Sequence, residues 1–280
     1  MRQRFTTAAN LLHGAAALPA ARAEVTVADW SVYLRAVSSQ LDYGVVGLGY
    51  IERVARGRLD ALEAKIRAQG EAGFTVQRAG KNEWLDLVVA IEPRERNTGV
   101  LGLDIGSGNT RRTAAEDTAR RNEMILSRRI RLDYDGQHRN VPGFLLLLPV
   151  FQKGIALPPP EQRLGMVAGW VYAPIRIDEL MIGVAETAGN QLDFEVFEGN
   201  GTQPDTLLYD MDGLSVANPG LIGPGQYYPD RTFTSIIPLD LYGRRWTLRF
   251  STRPEFDATD RKSTRLNSSH PRLSRMPSSA

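Results

Sequence analysis

The stretch VLGLDIGSGNTRR, Val100 to Arg112, sets an aspartate and three close glycines between an apolar run and a pair of arginines. Several chemistries use that mixture. A loop that binds S-adenosylmethionine has the form D-x-G-x-G-x-G, so that backbone amides can approach the cofactor, and Asp104, Gly106 and Gly108 fit it. Thr110 stands where the last glycine belongs, and its branched side chain would crowd the ligand. The dinucleotide loop G-x-G-x-x-G fails in the same way at Arg111. The phosphate loop of actin-like ATPases, G-x-D-x-G-x-x-x-T, fits Gly102 to Thr110, but that fold needs a second acidic glycine loop. Only YDMDGLS, Tyr209 to Ser215, could supply it. A fourth reading needs no ligand: Val100 to Ile105 is a strand, Gly106 and Gly108 turn the chain, and Ser107 or Asn109 caps a helix beginning near Thr110.

Other reactive side chains are sparse. The sequence has no cysteine, which excludes disulfides, thiolate metal sites and a cysteine nucleophile. His13 and His138 have no cysteine or histidine neighbour, so no metal site and no cofactor are expected. A G-x-S-x-G elbow is absent, which argues against a serine hydrolase. Asp133 and Asp135 share a strand face and could do acid–base work, but they adjoin the polar turn DGQHRN and read as solvated. The pairs Arg111–Arg112, Arg120–Arg121 and Arg128–Arg129 lie near Glu116, Asp117 and Glu123. They read as ion pairs, not as a nucleic-acid footprint.

The elements that must position these residues follow from periodicity. Apolar residues recur every three or four positions from Phe5 to Ala16 and again from Trp30 to Leu41, so residues 5–42 read as helical, with a helix start at Thr26 or Asp29. Further helices are read at Arg58–Gln69, Thr110–Arg121 and Asp178–Val184. Strands are read in VVGLGYIERV, FTVQR, WLDLVVAIEP, GVLGLDIG, ILSRRIRLDY, FLLLLPVFQK, GWVYAPIRI, LDFEVFEG, LLYDMDG, TFTSIIPLDLYG and RRWTLRFSTRP, and a loop from Ala217 to Pro229. Strands outnumber helices and are spaced as hairpins, which predicts antiparallel α+β sheets in two sets that part near Trp170 to Glu179.

Composition describes a folded chain, with 42% hydrophobic residues and nine each of Phe and Tyr. The net charge of +2 misleads. The tail DRKSTRLNSSHPRLSRMPSSA, Asp260 to Ala280, has no apolar periodicity, and its first eleven residues match a translated sequencing-library adapter one for one. Without its five basic and one acidic residues the charge is −2, and the basic pI no longer points to nucleic acid or a membrane surface. The natural protein is expected to continue past Thr259. A membrane-spanning helix needs about 20 apolar residues, and the longest run, FLLLLPVF, has eight and contains Pro149. The N-terminus imitates a signal peptide ending in A-x-A at Ala21–Ala23, but Asn10, His13 and Pro19 weaken its centre.

Read together, GLGYIERV, EPRERNTGVLGLDIGS, RRTAAEDTARRNEMILS, VPGFLLLLPVF and GWVYAPIRIDELM fall in the order and spacing of CHASE domains, and residues 5–256 resemble that family through most of their length. These are extracytoplasmic sensing domains of membrane histidine kinases, diguanylate cyclases and the plant cytokinin receptors. The resemblance implies an α+β fold with a long N-terminal helical stalk, residues 1–44, followed by two tandem PAS-like antiparallel-sheet modules. The membrane-distal sensing module would span 45–175 and the membrane-proximal module 176–259. The resemblance also implies a small-molecule ligand, a homodimer joined through the stalk, a membrane-anchored parent and no enzymatic activity in this fragment. In the plant receptors a strand-end aspartate bonds the ligand, and Asp104 takes that position. Leu126 matches a pocket leucine, Leu146 and Leu148 belong to the strand that floors the pocket, and Gly169 matches a glycine that lets the ligand approach the backbone. The all-leucine strand departs from the plant pattern and suggests a greasier ligand.

The leading expectation is therefore an extracytoplasmic sensing fragment in which binding shifts a conformational equilibrium. The alternative is a soluble enzyme holding S-adenosylmethionine or ATP on the DIGSGN loop. Antiparallel strands beside Gly106 favour the sensor, and a parallel central strand favours the enzyme.

Overall fold

The computed structural model describes residues 1–256 apart from 23, 78–80, 98, 133–141, 155, 185–191, 212–232 and 254–255. The adapter-like tail, Asp133, Asp135, His138, most of the YDMDGLS loop and the 217–229 loop lie outside the described residues.

The helical lead-in is three helices where a long stalk was expected. Helix α1 (Arg2–Ala16) buries Phe5, Ala8, Ala9, Leu12 and Ala15 along one face. Pro19 falls in the first turn of α2 (Leu18–Ala21), where its missing N–H is harmless but where α1 cannot continue unbroken. Thr26 then caps α3 (Val27–Ser38). Its hydroxyl accepts from the Asp29 amide at 3.1 Å while the Asp29 carboxylate accepts from the Thr26 amide at 3.0 Å. The expected helix start is therefore present at Thr26, and α3 lies on the sheet with Trp30 stacked on Tyr50 at 4.2 Å.

The remaining elements alternate as hairpins: β1 (Leu48–Ala55), α4 (Leu59–Ala68), β2 (Trp84–Glu92), α5 (Asn109–Arg121), β3 (Ile125–Leu126), β4 (Ile130–Arg131), β5 (Pro142–Phe151), α6 (Pro160–Arg163), β6 (Val167–Arg176), α7 (Ile177–Leu180), β7 (Leu192–Glu198), β8 (Leu207–Asp210), β9 (Thr234–Leu241) and β10 (Arg244–Thr252). The first sheet runs β2-β1-β6-β5-β3, with β4 also on β5, and the second runs β8-β7-β10-β9. Every strand pair is antiparallel, as the hairpin spacing predicts.

The first sheet is buried on both faces. One face and the inner face of the second sheet share a core with α1 and α3, containing Phe5, Leu12, Trp30, Leu146, Phe194 and Trp246. The opposite face carries Trp170, Tyr172, Leu145 and Leu147 against α5. Trp170 fixes that helix, its indole N–H reaching the Ala115 carbonyl and the Thr118 hydroxyl, each at 2.9 Å.

Two expected strands are absent. FTVQR contributes only an isolated bridge, Gln77 to Leu103. Residues 100–105 form turns, because Gly99 and Gly102 both adopt φ of +78°, outside the extended region. Gly102 also passes so close to the Thr75 carbonyl that a Cβ could not fit. The helix cap differs as well. Gly108 is the N-cap of α5 and offers no side chain, while Asp104 caps the short 3-10 turn Ile105–Ser107. Of the basic pairs, Arg120 forms the expected helix-face contact with Glu116 at 2.9 Å, whereas Arg111 donates to the Arg131 carbonyl and Arg112 to Asn109.

Candidate functional site

Asp104 sits near the centre of the Val100–Arg112 segment. It is 1% exposed. Its Oδ1 accepts from the amides of Asp86 at 3.1 Å and Gly106 at 2.9 Å. Backbone bonds from Gly102 N to Val88 O (2.8 Å) and Val88 N to Leu103 O (3.0 Å), with an antiparallel bridge from Leu87 to Asp104, lay residues 102–104 along β2. A buried carboxylate requires such donors, and here they come from the chain itself. The loop is thus folded onto an antiparallel strand, the arrangement that favours a sensor over a nucleotide enzyme.

This braced segment separates two hollows. The first is apolar, holds about 50 Å³ and lies between the sheet and the start of α5, with Val88, Ile91, Leu103, Ile105, Leu145 and Tyr172 among its walls. Tyr172 is 2% exposed and its hydroxyl has no hydrogen-bond partner among the described residues. Burial pushes its phenol pKa far up, opposed by the nearby Arg111 guanidinium, which also lines the hollow. A buried hydroxyl left without a partner costs about 1–3 kcal/mol, so this atom is poised to accept one. The second hollow is polar, about 480 Å³, and lies across the segment between the start of β2 and α5.

The predicted site residues do not converge on either hollow. Leu126, Leu146 and Leu148 belong to the core beneath α1 and α3, on the other face of the sheet. Successive residues of a strand point to opposite faces, so on β5 it is Leu145 and not its neighbours Leu146 and Leu148 that faces the hollow. Gly169 serves packing: its place on β6 is pressed against the Ile51 carbonyl of β1, where a Cβ would collide. Gly49 does the same for the Tyr172 ring. Asp104 borders both hollows only through its neighbours Leu103, Ile105 and Gly106. Tyr172, Leu145, Asp86 and Arg112 were missed. Asp86 gave a signal, an acid interrupting the apolar stretch WLDLVVAI, and Tyr172 gave none beyond its alternation with Val171 in a strand.

Among the described residues no cluster of histidine or acidic side chains could hold a metal ion, and no helix is long and apolar enough to cross a membrane.

Comparison with solved structures finds the periplasmic sensory domain of the Campylobacter jejuni chemoreceptor Tlp1. It matches with a TM-score of 0.53 and 9% identity over 90% of each chain, which is a likeness of fold. A search of curated proteins gives no match. The CHASE-domain profile matches residues 23–209, two thirds of the chain, with the antiparallel first sheet and both hollows inside the matched span. The chain therefore belongs to the CHASE family, the extracytoplasmic sensor domains of membrane receptors.

Proposed function

We propose that this chain senses a small amphipathic molecule in the apolar hollow beside Asp104, on behalf of a membrane receptor whose effector is a histidine kinase or diguanylate cyclase. The observation that carries the reading is the unpartnered hydroxyl of Tyr172, a residue in the wall of a mostly apolar cavity that Arg111 and Asn97 also line. A greasy wall with a few convergent polar groups is the usual make-up of a small-molecule site. Tyr172 and Arg111 would orient the polar end of the ligand, and Val88, Ile91 and Leu145 would take its body. At about 50 Å³ the hollow holds little more than a water molecule or two, so binding must enlarge it. Asp104 then acts through the wall it braces and does not touch the ligand.

No bond is made or broken in this scheme. The ligand favours an expanded conformation over the closed one, and only that difference in affinity carries a signal. The first sheet would be the membrane-distal PAS-like module and the second the membrane-proximal one, with the N-terminal helices joining two copies. A thermal-shift screen with planar aromatic amines and short-chain amphiphiles tests the reading. At least one compound should raise the melting temperature of the wild type. Tyr172→Phe should weaken it roughly tenfold, the value of one buried hydrogen bond, and Leu145→Trp, which fills the hollow, should abolish it. A screen without a hit, or a hit untouched by Leu145→Trp, overturns it.

A further inference from the structure

The polar hollow on the far side of the Asp104 segment has its own unbalanced charges. Its volume, about 480 Å³, lies within the usual range for small-molecule sites. Its floor is Asp86, 3% exposed. Asp86 Oδ1 accepts from Arg53 at 3.0 Å, and that guanidinium is held over Trp84 and Trp170 at 5.4 and 5.7 Å. The other oxygen, Oδ2, has no hydrogen-bond partner among the described residues and stands beside Gly106, where a Cβ would lie 3.2 Å from it. Glu116 in the wall is already paired with Arg120.

The opposite end of the hollow has the reverse deficit. Arg112 donates only to the neutral side chains of Asn109 (3.0 Å) and Asn82 (3.5 Å), and has no acidic partner among the described residues. It projects from the first turns of α5, a thirteen-residue helix whose N-cap is Gly108 and whose first turn has no acidic residue. The helix dipole therefore adds to the charge of Arg112, and no acidic side chain in that first turn offsets it. One cation without an acidic partner and one half-used buried carboxylate thus line the same cavity, beside the paired Arg53 and Glu116 and the exposed Glu83.

We propose that this hollow is a second ligand site, distinct from the apolar one, for a small zwitterion bearing an ammonium and a carboxylate. The ammonium is taken by Asp86 Oδ2, with Glu83 at the rim. The carboxylate is taken by Arg112 at the start of α5. A neutral or singly charged molecule would leave one of the two ends unanswered, and an unanswered charge in a partly desolvated site is costly. Burial lifts the Asp86 pKa to about 6, against the pull of Arg53, so the ammonium end should bind more weakly as pH falls through that value.

Calorimetry of the 280-residue chain with free α-amino acids, each added singly at pH 7.5, tests the site. The methyl ester of each acid keeps only the ammonium, and the N-acetyl derivative keeps only the carboxylate. At least one amino acid should bind, and both of its derivatives should bind at least roughly tenfold more weakly. Arg112→Gln should weaken it to a similar degree while the unliganded protein melts as the wild type does. Tyr172→Phe, which removes the polar anchor of the apolar hollow without overfilling it, should leave it unchanged, so the two sites fail separately. Absence of binding by every amino acid, an ester or N-acetyl compound as tight as its parent, or full affinity in Arg112→Gln overturns the proposal.

Discussion

The backbone amide of Leu126 donates to the Tyr242 carbonyl at 2.9 Å, and the Leu126 carbonyl accepts from Arg244 Nε at the same distance. Leu126 lies in β3 of the first sheet, and Tyr242 and Arg244 lie at the β9–β10 turn of the second. A residue chosen from the sequence as a ligand contact is therefore a peg between the two sheets. Helix α1 reinforces the joint: Phe5 meets Trp246 edge-on at 5.8 Å and lies in the core that both sheets share.

Phe5→Ala should destabilise the whole chain by about 3–5 kcal/mol, the usual result of emptying a buried aromatic site. Since both sheets lean on this ring, denaturant titrations followed by tryptophan fluorescence and by far-ultraviolet dichroism should shift together. Separate midpoints would show that the sheets unfold independently.

Gly102→Ala and Gly99→Ala form a matched pair. Both positions have φ of +78° and carry the backbone strain of an L-residue there, about 1 kcal/mol. Only at Gly102 does the new methyl meet a carbonyl, that of Thr75, whereas Gly99 faces open space. Chemical denaturation should therefore find Gly102→Ala clearly the more damaging. Equal losses would refute the close approach.

Asp104→Ala should cost about 1–2 kcal/mol through two lost amide bonds to one buried oxygen. Asp104→Asn keeps a carbonyl oxygen for those amides and should lose less. Amide hydrogen exchange at Asp86 and Gly106 reports the same contrast, and unchanged protection in the alanine variant would contradict it.

Asp86 makes stability depend on pH in an unusual sense. Burial raises its pKa to about 6 in the folded chain, against about 3.9 unfolded. Between those values the folded state holds more protons, so stability falls as pH rises through the window from about 4 to 6. The amount is on the order of 3 kcal/mol. Asp86→Asn should flatten that slope in thermal melts at pH 4.5 and 7, and an unaltered slope would assign it to other groups.

Much of the fold was legible because hairpin spacing and alternation survive burial. The capping box at Thr26, the amphipathic face of α1 and the strands β5, β6 and β10 all follow from local chemistry. The candidate site was less legible, for identifiable reasons. The run Phe144–Leu148 is apolar on both faces, so alternation cannot say which leucines face α5. Val100–Ile105 has strand composition, but the positive φ of Gly99 and Gly102 is a tertiary outcome. Asp104 was singled out by the glycine loop and by its place in the CHASE resemblance, yet of the two amides on its Oδ1 only that of Gly106 is local, and the other comes from Asp86 on β2, eighteen positions back in the chain. Tyr172 is legible only once it is known that no described residue answers its hydroxyl.

The glycines at 49 and 169 have a mechanical consequence. Where they lie, β1 is pressed onto β6 and onto the Tyr172 ring with no room for a methyl group, so the sheet forms a rigid floor beneath the apolar hollow. Space for a guest is then to be gained from the roof, by lifting residues 100–107 and the first turn of α5. That roof is also a partition, and Gly106 on its far side would swing into the neighbouring chamber as it rises.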